Sequence, residues 1–250
     1  MRKSDFTFPV RREKLYYLDN SIWIPTNQDI IIREDTDEII SYVPRTYHLK
    51  TNAEIFDKIF EALQYLNLSV IIDPVNSFLS NERMICHLLL TDIIIKDDES
   101  AIFLSILIKN SYDRSRAFDF KFGMFRGICS NGSLLGYKSL MEGIYRKHTK
   151  GFSLHPITSK IKEVILNFPE VQKRIEHLQT VKFETSYKKQ SVQTLGNKFE
   201  AYMSEDLGIK WIKIKTLYDL YNEMTYFVTH KIPVIEREQY LDKIAKGFFL

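Results

Sequence analysis

Residues 118–132 read FDFKFGMFRGICSNG, and within them stand an arginine, a cysteine, a Ser-Asn pair and three of the chain's nine glycines. Residue types of this kind serve three different ends. The first is phosphate binding: Gly123 and Gly127 let backbone approach a ligand, and the Arg126 guanidinium is a fork that matches phosphate oxygens. Ser130, Asn131 and Gly132 would add backbone N–H groups at the start of a helix. The second is nucleophilic catalysis, with Cys129 attacking and His148 or His155 as its base. No cysteine-enzyme signature surrounds Cys129. The third is a plain strand that ends in a tight turn, where glycine supplies positive φ and Cys129 is a small buried hydrophobe.

Charge distribution separates these readings better than the motif does. Net charge is only +3, yet from Asn110 to Lys150 eight Lys and Arg face three Asp and Glu. Tyr112, Phe125, Tyr137 and Tyr145 are interleaved with those bases. Single-stranded nucleic acid is bound by this combination, since bases stack on rings while cations follow the backbone. Arg114, Arg116, Lys121, Arg126, Arg146, Lys147 and Lys150 are the candidate phosphate contacts, and the four aromatics are candidate stacking residues. Asn110, Ser111, Asp113, Gly123, Gly127, Ser130, Asn131 and Gly132 would shape the loops that carry them. The bland alternative assigns Arg146-Lys147-His148 to a helix end, where cations complement the helix dipole.

Other chemistry finds little support. The two cysteines, Cys86 and Cys129, and the six histidines show no metal-ligand spacing, and there is no Walker loop, GxGxxG or GxSxG. No metal or cofactor is called for. The longest apolar runs, such as AIFLSILI, fall far short of the roughly 18 residues that span a membrane. The N-terminal MRKSDFTFPVRREK has no signal-peptide core, so the expected compartment is a reducing cytoplasm.

These residues must be carried by elements. DIIIRED and EIISYVP read as two strands of a hairpin about Asp35-Thr36-Asp37. Thr51 and Glu54 form a capping-box pattern ahead of Ile55, Phe56, Ile59, Phe60 and Leu63 at helical spacing. LSVIID, MICHLLLTDIII, SAIFLSILIKN and the phenylalanine run read as further strands, with a hairpin loop at 96–100. In the last of them Phe118, Phe120, Phe122 and Met124 face the core, while Asp119 and Lys121 face outward. From about Ser133 the period turns helical: one helix carries Leu134 to Tyr145, and another, from Ile161 to Phe168, is interrupted at Pro169. Lys182 to Lys189 reads as a mixed-charge loop, and three helical stretches complete the chain. The expectation is one α+β domain over residues 1–250, an antiparallel meander with a covering helix in 1–132 and helices in 133–250.

NSYDRSRAFDFKFGMFRGICSNGSLLG, followed by RKH, resembles a phage- and plasmid-encoded family known only as a domain of unknown function. The pattern is Asn-Ser-x-Asp-x-Ser, then Phe-Arg-x-x-Cys-Ser-Asn-Gly, then an Arg/Lys-His pair. TLYDLYNEMTYFVTH is similar to the same family's Leu-Tyr-Asp-Leu-Tyr-Asn segment, so the resemblance runs from about Val43 to the end. Arg114 departs from it, standing where the family form has glycine. The resemblance implies a mobile-element protein. At the level of fold alone the chain is also similar to single-strand annealing proteins of the Rad52 type, which would imply strand annealing in replication or recombination and a homo-oligomer. No heptad or isolated sticky strand was identified to specify one. A protein-binding module, as a virion component or an inhibitor of host defence, is the competing class; a Cys/His hydrolase is the third.

Overall fold

The computed structural model describes residues 1–96, 101–126, 131–133 and 143–249. A short helix α1 (Lys3–Phe6) precedes three strands, β1 (Val10–Asp19), β2 (Ile22–Arg33) and β3 (Glu38–Pro44), which form an antiparallel sheet in that order. Helix α2 (Asn52–Tyr65) opens with the capping box that the sequence predicts: Thr51 Oγ1 accepts from the Glu54 N–H, and the Glu54 carboxylate accepts from the Thr51 N–H. Ile55, Phe56, Ile59 and Leu63 are its buried stripe.

Strands β4 (Val70–Ile72), β5 (Phe78–Leu79), β6 (Arg83–Lys96), β7 (Ala101–Ser111), β8 (Phe118–Arg126), β9 (Asn131–Ser133) and β10 (Ile144–Arg146) make a seven-stranded sheet. Its path is β10-β8-β7-β6-β4, with β5 on β6 and β9 on β8. Five helices follow: α3 (Ile157–Thr180), α4 (Thr185–Leu195), α5 (Asn197–Lys213), α6 (Leu217–Lys231) and α7 (Val234–Phe249). Antiparallel strands followed by helices make the fold α+β.

The chain divides into two compact units. The first comprises Met1–Leu89, Ile106–Phe120 and Gly143–Lys162. Within it Phe8, Val10, Ile31, Val43, Tyr47 and Tyr112 form one buried cluster. The second comprises Leu90–Ser105, Lys121–Glu142 and Glu163–Leu250. Its helices close around aromatic contacts such as Phe199 edge-on to Phe227, with ring centroids 5.3 Å apart. Helix α6 has its own capping box, Thr216 with Asp219. Gly196, at φ +79°, lets the chain turn from α4 into α5.

Several local expectations change. Ile144 to Arg146 form strand β10, antiparallel to β8 in the register Ile144↔Phe120, Tyr145↔Asp119 and Arg146↔Phe118, instead of closing a helix. Pairing with a phenylalanine-rich strand overrides the helical period at Ile144 to Arg146, and residues 134–142 of the expected helix lie outside the described residues. Helix α3 runs on through Pro169, because packing of Val164, Phe168, Val171, Ile175 and Leu178 offsets the hydrogen bond that proline removes. Helix α4 begins at Thr185, within the stretch read as a loop. Phe118, Phe120, Phe122 and Met124 are buried as expected, but so are Asp119 and Phe125. Both faces of this strand are covered, so alternation no longer marks the solvent side. Asp119 is matched there by buried Lys109, Nζ to Oδ2 3.6 Å.

Candidate nucleic-acid interface

Three segments of the first unit meet around Tyr47. Its hydroxyl donates to the Ser111 carbonyl at 2.8 Å, and its ring stacks on His148 at 5.0 Å between centroids. His148 in turn packs edge-on against Phe152, which contacts Phe118. The His48 N–H donates to the His148 carbonyl at 3.0 Å, and His148 Nδ1 lies 3.3 Å from the His48 carbonyl. Arg12 fastens the same segment from β1: its two terminal nitrogens donate to the Tyr47 and Arg45 carbonyls, and Nε donates to buried Asp29. Nothing in the stretch PRTYHLK distinguishes Tyr47 as this anchor, and sequence reasoning missed both it and Arg12.

The turn 111–116 is closed from within. Ser111 Oγ donates to the Arg116 carbonyl at 2.8 Å and accepts from the Arg116 N–H at 3.0 Å. Asp113 Oδ1 accepts from the Ser115 N–H, and Oδ2 pairs with Arg83 Nε at 3.0 Å. Burial would raise the Asp113 pKa; the bonds from Ser115 and Arg83 outweigh it and hold the carboxyl below its ordinary range. Beneath the turn, Asn110 Nδ2 donates to the Lys50 carbonyl and to Asn52 Oδ1, and the Asn52 N–H donates to the Tyr112 hydroxyl. Hydrogen bonds from Asn110, Ser111 and Asp113 thus run through the turn and the segment beneath it.

The β8–β10 register brings the cations of two segments to one end of the strand pair. Arg146 lies opposite Phe118, only two residues from Arg116, and paired strands run about 4.8 Å apart. Arg114, Arg146, Lys147 and Lys150 are exposed and Arg116 is half-buried. Among the described residues no carboxylate pairs with any of the five. Tyr145 is exposed on the opposite face of β10 from Arg146.

Other predicted residues fall elsewhere. Tyr112 (2% exposed) and Phe125 are buried, so neither presents a ring to a base. Tyr112, just past the end of β7, is held in the buried cluster with Phe8 and Val10, and Phe125 lies within β8. Lys121 is half-buried and already engaged, and it belongs with Arg126 to the second unit. Gly123 lies inside β8, not in a turn. Asn131 and Gly132 return along β8 as β9, paired Arg126↔Asn131 and Phe125↔Gly132, so they do not open a helix. Gly127, Cys129, Ser130 and Tyr137 lie outside the described residues.

His148 is a poor partner for a nucleophile. Burial pulls its pKa from 6.5 down to about 4, and Nε2 is enclosed without a hydrogen-bond partner among the described residues. His155 is exposed. Among the described residues no group of three or more His, Cys, Asp or Glu could hold a metal ion. No described helix is long and apolar enough to cross a membrane.

A second exposed feature was not foreseen. Strand β1 extends the N-terminal sheet into a two-stranded arm with β2, paired Tyr16↔Pro25, Tyr17↔Ile24, Leu18↔Trp23 and Asp19↔Ile22. The run KLYYLDNSIWIP, apolar on both sides of Asn-Ser, was the available signal.

This chain belongs to the family described as the domain of unknown function DUF932, whose model matches residues 84–245. The match begins at β6, well after the Val43 that the motif resemblance implied. No curated protein and no solved structure matches the chain.

Proposed function

We propose that this protein binds nucleic acid, with single-stranded DNA the favoured ligand, through the end of the β8–β10 pair. One observation carries the reading. Five cations stand on two segments that meet at one end of the β8–β10 pair, and no described carboxylate pairs with them. Arg114, Arg116, Arg146, Lys147 and Lys150 contact phosphates, and Tyr145 is the candidate ring for a base. Such a surface binds by releasing counterions from the backbone, which requires no sequence readout. The biological setting we propose is a phage or plasmid, acting in replication or recombination inside the host cytoplasm.

Fluorescence anisotropy with labelled single- and double-stranded DNA, titrated with salt, tests this directly. Tight single-strand binding that falls steeply with salt is the expected result. No binding to either form at low salt overturns the proposal. The protein-binding alternative is favoured by a separate observation, the apolar arm of β1 and β2.

A further inference from the structure

A second basic surface lies in the second unit, and its chemistry differs from that of the turn. From Ile209 to Thr216 the chain reads IKWIKIKT, three lysines with no acid, and from Lys182 to Lys189 three lysines accompany one glutamate. Neither segment holds an arginine. The backbone stitches the two together: Lys182 bridges Thr216, and the Phe183 N–H donates to the Lys215 carbonyl at 2.8 Å.

Helical spacing sorts the last turn of α5. Trp211 packs inward, edge-on to buried Phe199 at 6.0 Å and stacked on Phe183 at 6.2 Å between centroids. Ile209, Ile212 and Lys213 stand three and four residues apart, so they share another face. That face is open: Ile209 is 47% and Ile212 66% exposed, and Lys213 is exposed too. The Lys215 ammonium folds back to donate to the Ile212 carbonyl at 2.8 Å, and the Lys188 ammonium lies 4.7 Å from the centre of the Trp211 ring. Lys210 is engaged elsewhere, with Glu205 and the Tyr202 carbonyl. Of the nearby acids, Glu184 is exposed, and Asp219 accepts from the Lys215 and Thr216 N–H groups as the cap of α6. Among the described residues no carboxylate pairs with Lys182, Lys188, Lys213 or Lys215.

Two branched aliphatic side chains thus stand among lysines, and this pairing selects the occupant. A nucleic-acid strand is held by rings that stack its bases and by guanidinium forks on its phosphates. Here the Trp211 ring is taken up by Lys188, Phe183 and Phe199, an isoleucine has no π face, and there is no arginine. An anionic lipid surface uses what is present. Aliphatic side chains enter the boundary between headgroups and acyl chains, and lysines on flexible stems reach the lipid phosphates. We propose that the end of α5 docks on an anionic lipid surface, with Ile209 and Ile212 inserted and Lys182, Lys188, Lys213 and Lys215 against the headgroups. The contact is peripheral, since one helical turn carries the insertion. It lies wholly in the second unit while the basic turn belongs to the first, so it stands independently of nucleic-acid binding.

The test is co-sedimentation of the full chain with vesicles of phosphatidylcholine alone and of phosphatidylcholine mixed with phosphatidylglycerol, across a range of salt. Wild type is expected to bind the anionic vesicles, more weakly as salt rises, and to leave the neutral ones in solution. Each lysine at an anionic surface strengthens binding about fivefold, so Lys213→Gln with Lys215→Gln should weaken it roughly 25-fold. Ile209→Ser with Ile212→Ser should weaken it roughly tenfold or more, by removing the inserted groups. All four positions are exposed, so these changes spare the core. Arg114→Ala with Lys147→Ala, in the basic turn, should leave vesicle binding as it was. No binding to anionic vesicles overturns the proposal, and so does equal binding to neutral ones. Vesicle binding that survives both the lysine and the isoleucine variants overturns it as well. Patch variants that lower affinity for single-stranded DNA, in a chain that ignores vesicles, overturn it and assign the patch to nucleic acid instead.

Discussion

The basic turn and the apolar arm both belong to the first compact unit, and both face water, but they are supported in opposite ways. Under the turn, Tyr112, Phe118 and Ile144 are buried, and Ser111, Asp113, Tyr47 and Asn52 tie each bend of the chain. The exposed groups there are cations, which water solvates well. The arm's exposed groups are instead the tyrosines, leucine, isoleucine and tryptophan that elsewhere build cores. Charge at a surface can be displayed by a rigid scaffold at little cost. Apolar surface displayed without a scaffold points to a partner.

Stability separates the two regions most sharply. Phe118→Ala should cost about 3–5 kcal/mol in urea unfolding, because it empties a filled site beneath the turn. Leu18→Ser with Trp23→Ser, measured on monomeric protein, should change stability by no more than about 1 kcal/mol. A large loss from the arm pair would show that the arm is packed within its own chain.

Acid should weaken the turn and leave the arm alone. Unfolded chains protonate a histidine near 6.5, while His148 in the folded protein resists until about 4. Unfolded protein therefore binds the extra proton first, and stability falls as pH drops through that window, by about 3 kcal/mol in all. Above the window His148 contributes no slope. The difference between wild type and His148→Phe, followed by urea midpoint from neutral pH down to about 4, isolates this effect from the carboxylates. Equal slopes would mean that His148 is solvated.

Salt should report on the turn in the same selective way. Arg114→Ala with Lys147→Ala should reduce the slope of log affinity for single-stranded DNA against log salt by roughly 1.4, at ~0.7 per phosphate contact on a single strand. The arm variants should leave that slope unchanged. The smallest effect belongs to the arm's own tip. Asn20 and Ser21 both have positive φ, 47° and 68°, as a two-residue hairpin turn of matching twist requires. Ser21→Gly should stabilise the hairpin by about 0.5 kcal/mol, read from amide exchange across β1 and β2.

How much of this was legible depended on whether the signal was local. The Thr51–Glu54 capping box and the apolar stripe of α2 were readable because a helix start is written within four residues. The Phe118, Phe120, Phe122 stripe was readable too, since it has period two. Asp119 was misread because its burial depends on Lys109, ten residues away on the neighbouring strand. Tyr145 and Arg146 were misread for the same reason, as their strand exists only by pairing with β8. The cations of the turn were proposed from charge density, which needs no structure. Tyr47 and Arg12 were not found, because hydrogen bonds spanning 64 residues for Tyr47 and up to 35 for Arg12 leave no local trace. The arm left a local trace in KLYYLDNSIWIP, two apolar runs either side of Asn20-Ser21.

Arg114 holds φ at +65°, the left-handed region that glycine enters freely and other residues rarely do. Arg114→Gly should relieve strain of about 1 kcal/mol while removing an exposed cation from the proposed binding surface. Such a substitution would make a tougher protein and a weaker binder. On the proposed reading, durability and binding pull in opposite directions at this one position, and the residue present is the one that favours binding.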